Sequence, residues 1–160
     1  MITKKTFPET LFSFTFKYFA HPLLKLYWEI AKSKRNNARA LLVHEGEVLL
    51  VQNIDWDHWS LSGGGINRRE DPEICALREV WEELKIKISR ADYKLGEYDD
   101  EGSIVHVFVV TVPSRDFVRA WELDDVAWFP PTNLPANTKP PTARRIQEWQ
   151  EGKRDLHGMW

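Results

Sequence analysis

Three glutamates, Glu79, Glu82 and Glu83, stand at i, i+3 and i+4 in a stretch patterned as a helix. Three consecutive glycines, Gly63, Gly64 and Gly65, precede them. Side chains three and four residues apart on a helix are neighbours, with Cβ atoms roughly 5–6 Å apart, and like charges there cost a few tenths of a kcal/mol per pair. One such pair suits any wet helix face. Three carboxylates on one face beside a glycine loop ask for a cation. Carboxylate oxygens are hard ligands, which suit Mg²⁺ or Mn²⁺ better than Zn²⁺, and the sequence has no Cys/His cluster to argue for a softer ion. A solvated acidic face behind an ordinary turn accounts for the same spacing, so the spacing by itself leaves both readings open.

The wider pattern is more specific. Five residues separate Gly64 from Glu70 and seven separate Glu70 from Arg78; Glu79, Val80, Trp81, Glu82, Glu83, Leu84, Lys85 and Ile86 follow. This resembles the box of the Nudix (MutT-like) hydrolase family, G-x(5)-E-x(7)-R-E-U-x-E-E-x-G-U with U a bulky aliphatic residue. Lys85 departs from it, standing where the family has Gly. Glycine there would follow the last helical turn, where a left-handed conformation is common; lysine costs about 1 kcal/mol if φ is positive. Ser62 is a second departure, since relatives often have Pro before the glycines; it is expected to loosen the entry to the loop.

The resemblance implies an α/β fold, a Nudix-type α/β/α sandwich with a mixed β-sheet. It also implies Mg²⁺- or Mn²⁺-dependent cleavage of a diphosphate linkage in a nucleoside diphosphate joined to another moiety. By matching position, Glu82 and Glu83 are the principal metal ligands, and Glu79 is a further ligand or the base that takes the water proton. Glu70 assists metal binding or orders water. Gly63 offers a carbonyl to the metal, Gly64 and Gly65 form a loop that lets backbone approach the substrate, and Arg78 orients the carboxylates through charge-assisted hydrogen bonds. In the family the base is not always inside the box. Glu122 is the first outside candidate and Glu101 the second, each against the plainer reading of a solvated loop residue. Nucleoside triphosphates, nucleotide sugars and ADP-ribose-like compounds all remain open as substrates. So do two other classes: a catalytically inactive nucleotide-binding or regulatory module, and a prenyl-diphosphate isomerase. The second usually needs a cleft cysteine away from the box, whereas the single cysteine, Cys75, lies inside it.

A helix must carry the acids. Asp71, Pro72 and Glu73 suit its start, with Pro tolerated in the first turn and acids favoured at the positive end of the dipole. Ile74, Leu77, Val80, Trp81 and Leu84 are expected on its core side and the glutamates opposite. Strands are predicted on both sides: Ala38–Gln52 as two strands about a Glu45-Gly46 turn, a short strand Trp59–Leu61, Tyr93–Tyr98, and Ile104–Val112 as a buried central strand. Asp99 to Gly102 reads as an acidic turn. Trp128-Phe129, four residues, then Leu134-Pro135 is similar to the element that closes a Nudix sheet. A last helix near Pro141–Glu151 packs Ile146 and Trp149. Trp56 or Trp59 could stack on a base, although Trp59 also fits a core anchor. His58 reads as a surface histidine, His106 as a core or cleft-lining one, and Cys75 as a small residue packed beneath the site.

Residues 1–35 are read as an N-terminal helical extension and 36–160 as the hydrolase domain. The extension is aromatic-rich, broken at His21-Pro22 and interrupted by Lys17, Lys25 and Glu29, so neither a spanning helix nor a signal peptide is expected. Packing on the domain, a homodimer contact and a membrane-surface helix compete for its role. The 160 residues suit one core. A net charge of −2 offers no basic surplus for stable nucleic-acid binding. One cysteine excludes an internal disulfide and suits a reducing, cytoplasmic compartment.

Overall fold

A computed structural model describes residues 35–54 and 56–160. The helical extension read over residues 1–35 lies, except for Arg35, outside the described residues.

The continuous apolar runs form the middle of the sheet. β1 (Asn37–His44) lies between β2 (Glu47–Asn53), to which it is antiparallel, and β5 (Ser103–Thr111), to which it is parallel. A parallel pair needs a long crossover and cover on both faces. The crossover here holds β2, β3 (Ser62–Gly65), α1 (Pro72–Leu84) and β4 (Tyr93–Asp100). β6 (Leu123–Phe129) pairs with β2 at one edge; after α2 (Pro140–Gln150), β7 (Leu156–Met159) lies parallel to β4 at the other. The order is β6-β2-β1-β5-β4-β7, with β3 paired to β1. The sheet is therefore mixed.

Two turns explain the hairpins. Glu45 and Gly46 have φ of 47° and 82°, and Glu101 and Gly102 have 53° and 88°. Two-residue loops with both central φ positive match the twist of the strands they join. The acidic turn is thus narrower than expected, because Asp99 and Asp100 still belong to β4.

Alternation along β1 and β5 divides the core in two. Ala38, Ala40, Leu42, Phe108 and Val110 pack with Cys75, Ala76, Val80 and Leu84 of α1. Leu41, Val43, Val105, Val107 and Val109 pack with Leu61, Leu95, Tyr98 and Ile146 of α2, and Trp149 joins them at the margin. Helix on sheet on helix is the expected sandwich. Trp59 is a core anchor, edge-on to Phe129 with ring centroids 5.0 Å apart.

Several expectations need correction. α1 is rotated from its apolar pattern: Leu77, Val80 and Leu84 are buried, but Ile74 is 57% and Trp81 41% exposed, while Cys75, Ala76 and Glu83 take core-side places. The cause is polar, since the Glu83 carboxylate is tied to Ser62 and Gly63 under the helix. The short strand at Trp59–Leu61 is only two isolated bridges, and the ladder starts at Ser62. β7 was not anticipated; its four residues carry little apolar pattern.

Candidate active site

The glycines form a strand because they must lie flat against β1 with a helix above. Asn37, Ala38 and Arg39 face Gly65, Gly64 and Gly63 in antiparallel register. A Cβ on Gly64 would stand 2.6 Å from Glu79 Oε1, and one on Gly63, whose φ is 142°, would stand 2.2 Å from the Ala38 carbonyl. Only glycine permits both approaches. Arg35 fastens the far end, donating from Nε to the Ile66 carbonyl at 2.7 Å and from Nη2 to Asn67 Oδ1 at 2.6 Å.

α1 starts where Asp71, in extended conformation, accepts hydrogen bonds from Glu73 N (2.8 Å) and Ile74 N (3.4 Å), with Pro72 in the first turn. It ends at Lys85, whose φ of 57° places it in the left-handed region and whose amide donates to the Trp81 carbonyl at 3.1 Å. Lysine therefore adopts the conformation that the family's glycine would take there.

Arg78 gathers the acids. Its Nε donates to Glu70 Oε1 at 2.7 Å and its Nη2 to Glu70 Oε2 at 3.1 Å; its Nη1 donates to Glu79 Oε1 at 2.7 Å and to Glu82 Oε2 at 3.0 Å. Asn67 N adds a bond to Glu70 Oε2 at 2.8 Å. These bonds, the Arg78 hydrogen bond foremost, hold the Glu70 carboxyl well below the usual range, at about 2. The same pairings raise the Arg78 pKa.

Glu83 lies apart from this web and is only 7% exposed. Ser62 Oγ donates to its Oε2 at 2.5 Å and Gly63 N at 3.2 Å. Burial pushes its carboxyl up to about 7, against the pull of the Ser62 bond and the nearby Arg39 charge. Ser62 does not loosen the loop; it anchors a buried acid. Cys75 is fully buried, 3.3 Å from Arg78 Nη2, and its thiol is pushed up to about 12 by burial first and the Glu70 charge second. It packs beneath the site as an inert thiol.

Two of the sequence-derived candidates are set at the rim. Glu122 is exposed, and its carbonyl accepts from Ile54 N at 3.2 Å. Its loop is fastened to the end of α1, because Ala120 N donates to the Glu83 carbonyl at 2.8 Å and Val118 N to the Leu84 carbonyl at 2.9 Å. Glu101 sits in the β4–β5 turn, exposed, beyond Asp100. Among the described residues, no hydrogen bond or ion pair joins either carboxylate to those of α1. Sequence reasoning missed Arg39. Its Nη1 donates to the carbonyls of Gly63 (2.8 Å) and Leu61 (3.2 Å), and burial lowers its pKa while Glu83 and Glu79 oppose the shift. Its only sequence signal was a charge interrupting an otherwise apolar strand.

The donor set fits a divalent cation. Glu79, Glu82 and Glu83 each have one oxygen fixed by Arg78, Ser62 or Gly63, and among the described residues each has its other oxygen without a hydrogen-bond partner. Glu70 has both oxygens engaged. Four carboxylates meet two guanidinium groups, Arg78 and Arg39, which leaves a local surplus of negative charge. The available donors are all oxygen, as Mg²⁺ prefers. Among the described residues, no three acidic, histidine or cysteine side chains already converge on one ion-sized point, because Arg78 stands between Glu70, Glu79 and Glu82.

Similarity to known proteins agrees with this geometry. Over 81 residues the chain is 37% identical to diphosphoinositol polyphosphate phosphohydrolase 3-alpha of Mus musculus, an alignment covering 49% of this chain and 48% of that protein. The chain thus spans about half the length of the curated relatives it matches. A NUDIX hydrolase from Nitrosomonas europaea has a TM-score of 0.70 at 17% identity, covering 81% of this chain and 80% of the other. An ADP-ribose pyrophosphatase from Streptococcus suis has a TM-score of 0.64 at 18% identity, covering 80% of this chain and all of the other. Both structural likenesses bear on the fold. The family model for the NUDIX domain matches residues 34–150. The glycine strand, the Arg78-centred acids and that match together mean that the chain belongs to the NUDIX domain family.

Proposed function

We propose that this protein hydrolyses a diphosphate linkage in a nucleotide-type small molecule, with Mg²⁺ or Mn²⁺ held by Glu79, Glu82 and Glu83 and by the Gly63 carbonyl. The observation that carries this reading is the half-satisfied state of the three glutamates. One oxygen of each is fixed by the protein and the other lacks a partner among the described residues, which is how a ligand set is preorganised. The bound cation would neutralise phosphate charge, orient the diphosphate and lower the pKa of the attacking water. Arg78 holds Glu79 and Glu82 in place, and Glu70 keeps Arg78 there. Glu79 offers its free oxygen either as a further ligand or as the base; where it ligates the cation, Glu122, on the loop tied to α1, is the proposed base. Gly64 and Gly65 leave backbone open to the substrate phosphates. The names of the mouse and Streptococcus suis relatives, a phosphohydrolase and a pyrophosphatase, support a phosphoric anhydride as the bond cleaved. A single buried cysteine suits a cytoplasmic setting, and no described helix is long and apolar enough to cross a membrane.

The test is hydrolysis of a panel of nucleoside triphosphates, nucleotide sugars and ADP-ribose with Mg²⁺ and with Mn²⁺, products resolved to identify the broken P–O bond. Wild type is expected to turn over at least one compound and to lose activity in EDTA. Glu82→Gln and Glu83→Gln are expected to lose about 10²-fold or more in kcat with circular dichroism unchanged. Full activity in both variants would place the chemistry elsewhere. Metal-dependent nucleotide binding without turnover would establish a regulatory module instead.

A further inference from the structure

One edge of the chain leading into the glycine strand carries two cations, Arg39, which braces the Gly63 carbonyl, and Lys139, which the hydrolase chemistry does not use. Trp59 N donates to the Asn137 carbonyl at 3.2 Å and Lys139 N donates to the Trp59 carbonyl at 3.0 Å. Two and four residues on, the carbonyls of Leu61 and Gly63 both accept from Arg39 Nη1. Alternate carbonyls of an extended chain face the same edge, roughly 7 Å apart. Arg39 and Lys139 are therefore neighbours on that edge, and Gly63, at its end, belongs to the carboxylate site. Lys139 Nζ lies 4.3 Å over the Trp56 ring, which is stacked on His58 at 5.1 Å and 24°. With His58 and Lys139 against its ring, Trp56 serves as a platform for Lys139 in place of the base-stacking role that its position suggested.

Among the described residues neither cation forms an ion pair, although the Glu83 and Glu79 charges reach Arg39. Both cations are half-buried. Among the described residues, Arg39 Nε and Nη2 have no acceptor, and the Lys139 ammonium makes no hydrogen bond or ion pair. Burial lowers the pKa of Lys139, and the Arg39 charge lowers it further. Asp100 is close enough for its field to reach both, but it forms an ion pair with neither. Two more polar atoms beside this edge, His58 Nε2 and Thr138 Oγ1, are buried without a partner. Holding two partly desolvated cations together is costly unless an anion joins them. A guanidinium fork beside an ammonium point charge suits a phosphate, which accepts from both.

We propose that Arg39 and Lys139, with Trp56 supporting Lys139, form a phosphate subsite that takes a phosphate group of the substrate beyond the diphosphate being cleaved. Its place in a substrate rests on the hydrolase reading above. The subsite begins at Arg39, whose Nη1 is 2.8 Å from the Gly63 carbonyl, and extends along the strand edge toward Lys139, within reach of a substrate with at least one additional phosphate. That phosphate comes from a nucleoside triphosphate or from a phosphorylated polyol.

The test is calorimetric titration of the full chain with inorganic tripolyphosphate in EDTA, a condition in which the carboxylates repel the ligand. Wild type is expected to bind. Lys139→Met and Arg39→Lys are each expected to weaken Kd about tenfold, one hydrogen-bonded charge's worth, and Lys139→Arg to keep most of the affinity. Thermal unfolding of each variant separates lost binding from lost fold. Absence of binding by wild type, or equal binding by a folded Lys139→Met, overturns the subsite. Competition then names the source: displacement at lower concentration by a nucleoside triphosphate or by a cyclitol polyphosphate, either of which supports the site. Because this titration needs no turnover, a silent hydrolysis panel overturns the enzyme and not the subsite. Conversely, active enzyme whose Lys139→Met variant keeps its KM for every substrate bearing a third phosphate overturns the subsite and not the enzyme.

Discussion

Ser62 sets the position of Glu83 through a 2.5 Å hydrogen bond beneath α1. Removing the hydroxyl leaves a buried carboxylate with the Gly63 amide as its remaining bond to that oxygen. Ser62→Ala is expected to cost about 1–3 kcal/mol in thermal unfolding. It should also lower metal affinity roughly 10–100-fold in a Mn²⁺ titration, the usual effect of losing a group that orients a ligand. Unchanged Mn²⁺ affinity would remove Glu83 from the ligand set. The glycines give a contrasting pair. A Cβ on Gly64 meets the end of the Glu79 side chain, which can swing aside, whereas a Cβ on Gly63 meets backbone at a positive φ. Gly64→Ala should fold and lose most of its kcat; Gly63→Ala should fail to give a cooperative melt. The sequence marked Gly64 as a position of close approach and Gly63 as a carbonyl donor to the metal. It gave no sign of what each approaches, because that depends on the register of β3 against β1.

At the scale of the element, α1 shows which sequence signals are decisive. Its start followed from Asp71 and Pro72, whose capping is local chemistry. Its exit was marked by Lys85 as a mismatch, and the residue does take the left-handed conformation. Lys85→Gly is expected to raise stability by about 0.5–1 kcal/mol in urea unfolding. Relief of the left-handed strain, roughly 1–2 kcal/mol, is offset by about 0.4–1 kcal/mol of extra unfolded-state freedom. The lost contact of Lys85 Nζ with the Trp81 ring, 5.4 Å to its centroid, is exposed and small. A drop in stability would mean that the lysine side chain matters more than its backbone. Rotation of the helix was not legible, because Ile74 and Trp81 satisfy the apolar period as well as Cys75 and Ala76 do. Polar anchoring of Glu83 chose between them.

At the scale of the whole molecule, the C-terminal segment closes one edge of the sheet. Arg145 is buried 3.7 Å over the Tyr98 ring and donates to the Met159 carbonyl at 3.1 Å; Arg144 donates to the Trp160 carbonyl at 2.6 Å, and Trp160 N donates to the Asp99 carbonyl at 2.8 Å. Removing residues 156–160 uncovers β4 and leaves Arg145 short of an acceptor. The expected loss is roughly 2–6 kcal/mol, at about 1–3 kcal/mol for each group left unsatisfied. Tyr98→Phe, which loses only the 2.8 Å bond to Glu148, should cost about 1.5–3 kcal/mol. Both are readable as shifts in denaturant midpoint. Wild-type stability in the truncated chain would show that β7 adds nothing to the fold.

The sequence by itself determined the family and the order of most elements, and it marked the acids as candidates. Box spacing, capping residues and apolar runs are local, and they survive without knowledge of what packs where. Tertiary structure decided the partners. The parallel pairing of β1 with β5 brings together residues far apart in the chain. The β1–β3 register sets Arg39 opposite Gly63, and the Trp59–Lys139 bond brings a lysine from beyond β6 to the same edge. Charge, unlike hydrophobicity, has no period along a strand. Which carboxylate was buried and which lysine stood without a counter-charge could be read only once the chain had folded.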